Sequence, residues 1–494
     1  MVPFTKLPAN TRVPLFYAEV DNSQANSGQL NQRTLIIGQM TAAGTGTPNV
    51  PRISAGVGDA QTQWGPDSML AAMTSAYRAA DDFGELWYLP LDDDPGAIAA
   101  TGSVTINSAP TLSGALSLYI GGTRYQQPVL PTQTTAQIAA ALAALVSADA
   151  LALVEATAAN NVVTLTAVNK GLVGNEIDLR MNYLGATGGE VTPTGLAVTL
   201  APMSGGAINP TTALQTALAN CGDQAFDFIV CPYTDTASLD ALKAFMNDQA
   251  GRWAWSQQIY GHVFAAYRGT LATCTTFGTA RNNQHETVLG YYDSPTPAWL
   301  VAAQLVGSIA PALRDDPGRP VQTLPIIGMM APPVVSRFQL TDRNTLLYDG
   351  ISTFTVGDDG TCYAENIITT YQKNAFGDPD DSYLELETLF LLMYVLRAMR
   401  TMVTSKYARM KLAANGTRFA AGSAIVTPNI IKADIIAKYQ ELEFNGYVQN
   451  SDAFATQVIV EQNAQNPNRV DCLWPGTLID QLREFALLAQ FRLS

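Results

Sequence analysis

Apolar and polar positions along this chain change period several times, and the changes divide it into segments. Thr34–Met40 (TLIIGQM) is a short, nearly continuous apolar run of strand length. In GPDSMLAAMTSAYRAAD the residues Met69, Leu70, Met73 and Tyr77 recur at helical spacing, and Pro66 suits a first helical turn. Glu85–Leu91 (ELWYLPL) is strand-like again, so the opening reads β–α–β and predicts α/β layering. From Gly102 to Tyr183 the period drops to two, in SVTINS, ALSLYIGG, VEATAA and VVTLTAV, around one helix predicted over Thr134–Ala148 with Thr134 as its cap. That stretch contains neither Trp nor Phe. The α/β pattern then resumes with FDFIVCPY, a helix capped by Asp235 or Thr236, YGHVFAAYR, a helix over TLATCTTFGTARN, ETVLGYYD and a helix over TPAWLVAAQLVGSIAPAL. The expectation is a mixed α+β multidomain chain: an α/β core (31–98 and 208–330) interrupted by an inserted β-rich domain (99–207). After a Pro-rich hinge, an α+β domain (331–480) follows. It should hold a hairpin in ISTFTVGDDGTCYAENIITTY, then a long helix from about Ser382 to Leu412 opened by a Ser382/Glu385 capping box. A helix ending at Gly446 and a strand in FATQVIVEQNAQ complete it.

Both ends read as strands attached to this body. Val13, Leu15, Phe16, Tyr17 and Val20 form an apolar N-terminal segment (1–30) in which Pro14 removes a ladder donor, suiting an edge position, and Asn22–Gln29 reads as a flexible tether. In the last segment (481–494), Phe485, Leu487, Ala489, Phe491 and Leu493 alternate with a mostly polar or small set. A terminal strand ordinarily pairs within its own fold; one at each end favours pairing with other copies of the chain, because an open edge is a template for another strand.

Composition narrows the function. Charged residues are 14% of the 494, against about 25% in ordinary domains, so the surface is either neutral and polar or largely hidden in an assembly. The net charge of −14 argues against a nucleic-acid partner. One stretch runs against that charge: Thr388–Ala433 has no acidic residue and carries Arg397, Arg400, Lys406, Arg409, Lys411, Arg418 and Lys432, leaving −21 elsewhere. On one continuous helix Arg397, Arg400 and Lys411 would share a side, with Lys406 and Arg409 opposite. Such a run is ordinarily a solvated face; the sharper expectation is a surface that docks on something acidic, including another copy.

Chemistry is sparse. The five cysteines form no CxxC pair and suggest reduced thiols in a cytosolic setting. No signal-peptide h-region opens the chain, and the longest strongly apolar run, Leu389–Leu396, is too short to span a bilayer. His262 reads as a partly buried structural residue and His285 as solvent-facing or capping; neither has metal-ligand spacing. The Gly-rich GTGTPNVPRISAGVG lacks the P-loop Lys and reads as a surface loop, and DDDPG and GDPDDSYLE lack the spacing of a calcium loop. No catalytic residue, cofactor or metal site is expected.

Taken together and in order, VPLFYAEVDNSQA, VVTLTAVNKGLVGNEIDLRMNY, DPGRPVQTLPIIGMMAP, ITTYQKNAFGDPDDSYLELET, KLAANGTRFAAGSAIVTPNIIKADIIAKYQELEFNGYV and FALLAQFRL resemble the tail sheath proteins of contractile bacteriophages, in their Mu-like branch. Gln462 and Asn466 stand where that family often has Arg and Asp, which leaves any ion pair at that loop in question. The resemblance implies a virion structural protein without catalysis, assembled in the host cytoplasm into hexameric rings stacked helically around a tail tube. It implies terminal arms interlaced with neighbouring subunits, further contacts to baseplate and tail terminator proteins, no nucleic acid and no membrane insertion. Contraction would drive the tube through the host envelope. A sheath of a non-phage contractile injection system and an exported adhesion module are the alternatives.

Overall fold

The computed structural model describes residues 32–492. The predicted N-terminal strand and Leu493 lie outside the described residues.

The first half of the core contains β1 (Thr34–Gln39), β2 (Arg52–Ile53), α1 (Val57–Trp64), α2 (Met69–Arg78) and β3 (Leu86–Leu91). All six residues of β1 are buried, as befits a strand with parallel neighbours on both sides and helices on its faces. Two expectations are corrected here. Helix α2 starts after Pro66: Ser68 is its cap, accepting from the Ala71 amide (3.1 Å), so Pro66 belongs to the preceding turn. The Gly-rich stretch is not merely a surface loop, because β2 lies within it and α1 begins at its last two residues, ending in the fully buried Trp64. Glycine makes that burial possible: a Cβ on Gly46 would lie 2.1 Å from the Trp64 ring.

The insertion contains β4 (Thr101–Ser108), β5 (Gly114–Ile120), β6 (Thr123–Val129), α3 (Thr135–Ser147), β7 (Val154–Ala159), β8 (Val162–Ala167), β9 (Leu179–Met181) and β10 (Ala197–Ser204). Two antiparallel sheets, β10-β4-β8-β7 and β6-β5-β9, enclose a core in which Ile138, Leu142 and Val146 of α3 meet Leu118, Val163 and Leu165. Thr134 and Gln137 form the capping box of α3. The insertion is docked on the core by specific polar contacts. The Asn169 side chain accepts from the Met69 amide (2.7 Å) and donates to the Met40 carbonyl (3.0 Å). Arg180 pairs with Asp178 and Asp293, and Arg268 reaches Asp178 (2.7 Å).

The second half of the core supplies α4 (Thr211–Asn220), β11 (Phe228–Val230), α5 (Thr236–Met246), β12 (His262–Arg268), α6 (Leu271–Thr279), β13 (Glu286–Tyr291) and α7 (Ala298–Asp315). The completed sheet has the order β13-β12-β11-β1-β3-β2, parallel except for β2. Gly307 of α7 lets this helix approach α2 closely, since a Cβ there would lie 2.6 Å from the Tyr77 carbonyl oxygen.

The last part holds α8 (Leu340–Tyr348), the hairpin β14 (Thr353–Val356) and β15 (Cys362–Asn366), α9 (Leu386–Tyr407), β16 (Lys411–Leu412), β17 (Ile425–Val426), α10 (Pro428–Phe444), β18 (Val448–Gln449), α11 (Ser451–Gln457), β19 (Ile459–Gln462), β20 (Val470–Leu473) and β21 (Thr477–Leu478). Helix α9 is shorter than expected at both ends. Leu384 and Glu385 are held extended against Ile368 and Thr369, so Ser382 bonds Asp380 instead of capping. Beyond Tyr407 the chain leaves the helix to pair Lys411–Leu412 with β17. FATQVIVEQNAQ divides into α11 and β19, with Phe454 buried on the helical side. Among the described residues no helix is long and apolar enough to cross a membrane.

Candidate assembly surface

The C-terminal segment is tied to its own body up to Arg483 and exposed beyond it. Strand β21 pairs antiparallel with β18, and the Tyr439 hydroxyl accepts from the Thr477 amide (3.0 Å) while donating to the Gln449 carbonyl (2.6 Å). The Ile479 amide donates to the Tyr447 carbonyl (3.3 Å). Arg483 Nη2 then donates to Glu385 (2.6 Å) and to Glu387. Glu387 is fully buried and also accepts from the Val321 amide (2.8 Å); burial pushes its carboxyl pKa up, against the pull of Arg483.

Past this point Phe485, Leu487, Leu488 and Phe491 are 83%, 78%, 83% and 84% exposed. Residues 484–492 form no strand within the chain, which differs from the expected strand. A strand exists only against a partner, and among the described residues this segment has none. Leu488 is as exposed as its neighbours, so the apolar set is wider than the alternation suggested.

Shortly before this segment in the chain lie two-stranded sheets whose outer edges have no partner strand among the described residues. In β19–β20, Ile459 opposes Leu473 and Val460 opposes Cys472. Val460 is buried, whereas Ile459 and Leu473 remain 50% and 59% exposed. The hairpin is braced from below by the Tyr439–Phe454 stack (centroids 3.8 Å apart) and by Trp474 against both rings. A braced hairpin with unpaired edges and a half-exposed apolar cross-strand pair can accept a further strand.

The basic stretch separates into internal and external members. Arg397 faces inward: it pairs with the buried Asp227 and donates to the Tyr260 carbonyl (3.1 Å), which removes it from a docking surface. Burial pushes the Asp227 carboxyl pKa up, and Arg397 counters this. Lys406 pairs with Asp434 (3.3 Å), which also accepts from the Tyr407 hydroxyl. Arg400, Arg409 and Lys411 are exposed, with no ion pair among the described residues. Lys411 belongs to β16 and Arg409 to the turn before it, so the helical-face grouping does not apply. The acid-free run concealed these pairings because Asp227 and Asp434 lie outside it in sequence.

Among the described residues the histidines and cysteines are dispersed rather than gathered at one site. His262 is fully buried, its Nε2 2.8 Å from the Thr287 hydroxyl, and burial pushes its pKa well down. His285 is also buried, contrary to the solvent-facing expectation: it stacks on Trp253 and its Nε2 lies 2.8 Å from Asp248. Four cysteines are buried and free, and Cys472 is exposed. Burial pushes the Cys221 thiol up to about 11. Among the described residues no three His, Cys, Asp or Glu side chains are placed to hold a metal ion.

Comparison with known proteins places the chain in a family. Residues 207–370 match the phage tail sheath protein central domain and residues 378–492 the phage tail sheath C-terminal domain. The Mu-like prophage FluMu tail sheath protein of Haemophilus influenzae is 41% identical over 493 residues, covering 99% of each chain. Among solved structures, the sheath tail protein of Desulfitobacterium hafniense superposes with a TM-score of 0.50 at 15% identity, covering 95% of this chain and 97% of that one. A second, the sheath tail protein Lin1278 of Listeria innocua, gives 0.49 at 12% identity, covering 93% and 94%. The chain belongs to the contractile phage tail sheath family, in its Mu-like branch, and is a structural subunit of such a sheath.

Proposed function

We propose that the chain builds its sheath by lending its terminal segments to neighbouring copies in hexameric rings stacked around a tail tube. The observation that carries this is the exposed apolar segment after Arg483, in a C-terminal part that also holds strands whose outer edges have no partner among the described residues. Four large apolar side chains held in water are unfavourable for a lone subunit and become favourable once a neighbour covers them. Each further arm contact in a growing lattice is intramolecular in effect, so the polymer gains avidity that a pair of subunits lacks. Val13, Leu15, Phe16, Tyr17 and Val20 are assigned the same role at the other end, and Leu493 completes the C-terminal set. The core, the insertion and the C-terminal part are the subunit's three bodies, with the last nearest the tube. Arg400, Arg409 and Lys411 are its outward charges toward the tube or an adjacent acidic subunit. Baseplate and terminator proteins would close the two ends of the stack, and the protein functions without catalysis or cofactor.

Negative-stain microscopy of the full chain and of a chain ending at Arg483 tests the donation. Striated tubes are expected from the first and dispersed subunits from the second. Tubes of equal yield from the shortened chain would remove the donation from the account. Charge reversal at Arg400, Arg409 and Lys411 together is expected to weaken tube attachment and its salt dependence; unchanged attachment would remove these three from the docking surface.

A further inference from the structure

Helix α9 carries, at two points along its length, polar contacts that reach the first and the last tied-down residues of the described body. The described residues begin at Gln32 and Arg33. The Arg33 amide donates to Asp227 Oδ2 (3.1 Å), and the Gln32 carbonyl accepts from Arg314 (3.2 Å). The amides of Asp227 and Phe228 donate back to the Arg33 carbonyl (2.9 and 3.1 Å). The other oxygen of Asp227 takes Arg397 of α9. Ten residues earlier on the same helix, about 15 Å along its axis, Glu387 holds Arg483, the last residue tied down before the exposed segment. Water cannot stand in for either arginine: Asp227 and Glu387 are both buried, so pulling either arginine away strands a charge in the protein interior.

We infer that α9 is a strut carrying load between the two terminal segments, pinned to the entry of the chain by Asp227–Arg397 and to its exit by Glu387–Arg483. This rests on the donation proposed above. If neighbours hold both segments while subunits move during contraction, tension entering at Arg33 leaves at Arg483. The direct route runs through α9 rather than through the insertion or the β19–β20 hairpin. Arg483 fixes where the body stops, so the donated length starts at Glu484. Fully extended, residues 484–492 alone reach about 30–32 Å.

The test uses the full chain with Arg483→Met, and separately a charge-neutral Arg397→Met/Asp227→Asn pair. In the isolated subunit, R483M is expected to speed hydrogen exchange at Thr477 and Ile479 about tenfold, with Phe228–Val230 unchanged. The paired variant is expected to leave Thr477 and Ile479 as they are. Both variants are expected to assemble into tubes of wild-type length, because the arm residues are intact. When contraction is triggered with a chaotrope, both are expected to break into short pieces, while wild-type tubes stay continuous. Unchanged exchange in R483M, intact contraction of either variant, or a folded R483M subunit that cannot assemble would each overturn the strut. If the paired variant does not fold, R483M decides alone. A wild-type chain that never forms tubes would instead defeat the donation, and the exchange measurement would still report on the Arg483 pin.

Discussion

At the residue scale, neighbouring arginines on one helix do different work. Arg397 and Arg400 are three positions apart in an acid-free run, and nothing local in the sequence separates them. The fold does, by bringing Asp227 beneath one and leaving the other exposed. R397M should therefore cost about 3–5 kcal/mol of stability, because it leaves a buried carboxylate without its partner. R400M should stay within about 0.5 kcal/mol. Urea unfolding of the two variants measures both, and equal effects would contradict the assignment. His285 makes the same point in the other direction: its polar sequence surroundings suggest exposure, but Trp253 folds over it. Such pairings depend on residues tens or hundreds of positions away and leave no periodic trace.

At the element scale, most strands and helices were legible because periodicity is a local property. Strands β1, β3, β4, β5, β7, β8, β12 and β13 and helices α2, α3, α5, α6, α7 and α10 all lie where the apolar pattern places them. The elements that were missed have physical reasons. Strand β6 (TRYQQPV) carries polar residues and a proline, and it exists as the second arm of a hairpin with β5. Helix α8 exposes Leu340 and Tyr348 and buries only Leu346, so it shows no apolar stripe. Helix α11 is seven residues long and depends on stacking between Phe454 and Tyr439. F454A should accordingly cost about 3–5 kcal/mol and loosen the β19–β20 hairpin, with hydrogen exchange as the readout.

The joint between insertion and core is likewise invisible in sequence and is sensitive to acid. Burial pushes the Asp178 carboxyl up, but hydrogen bonds and charge from Arg180 and Arg268 outweigh it and hold the pKa below its ordinary value. A depressed folded pKa contributes stability that is present above the unfolded value and lost as pH falls through the folded one. Amides near this joint should thus exchange faster below about pH 4. Replacing Asp178 with Asn should remove that acid-dependent increment; a persistent increment would place the acid response elsewhere.

At the scale of the whole molecule, the low charge content and the uncovered terminal segment both fit the proposal that other copies finish the surface. The resemblance in the sequence pointed to this family, and the structure adds where the tied-down chain ends and which cations of the basic stretch have no ion pair among the described residues. The open edges of β19–β20 and the uncovered residues 484–492 are complementary in kind, one lacking a strand and the other lacking a sheet. A three-dimensional reconstruction of the assembled polymer by electron cryo-microscopy, traced through Phe485–Phe491, tests this most directly. The account predicts that these residues run as a strand on a different copy of the chain; finding them folded back on their own body, touching no neighbour, would contradict it.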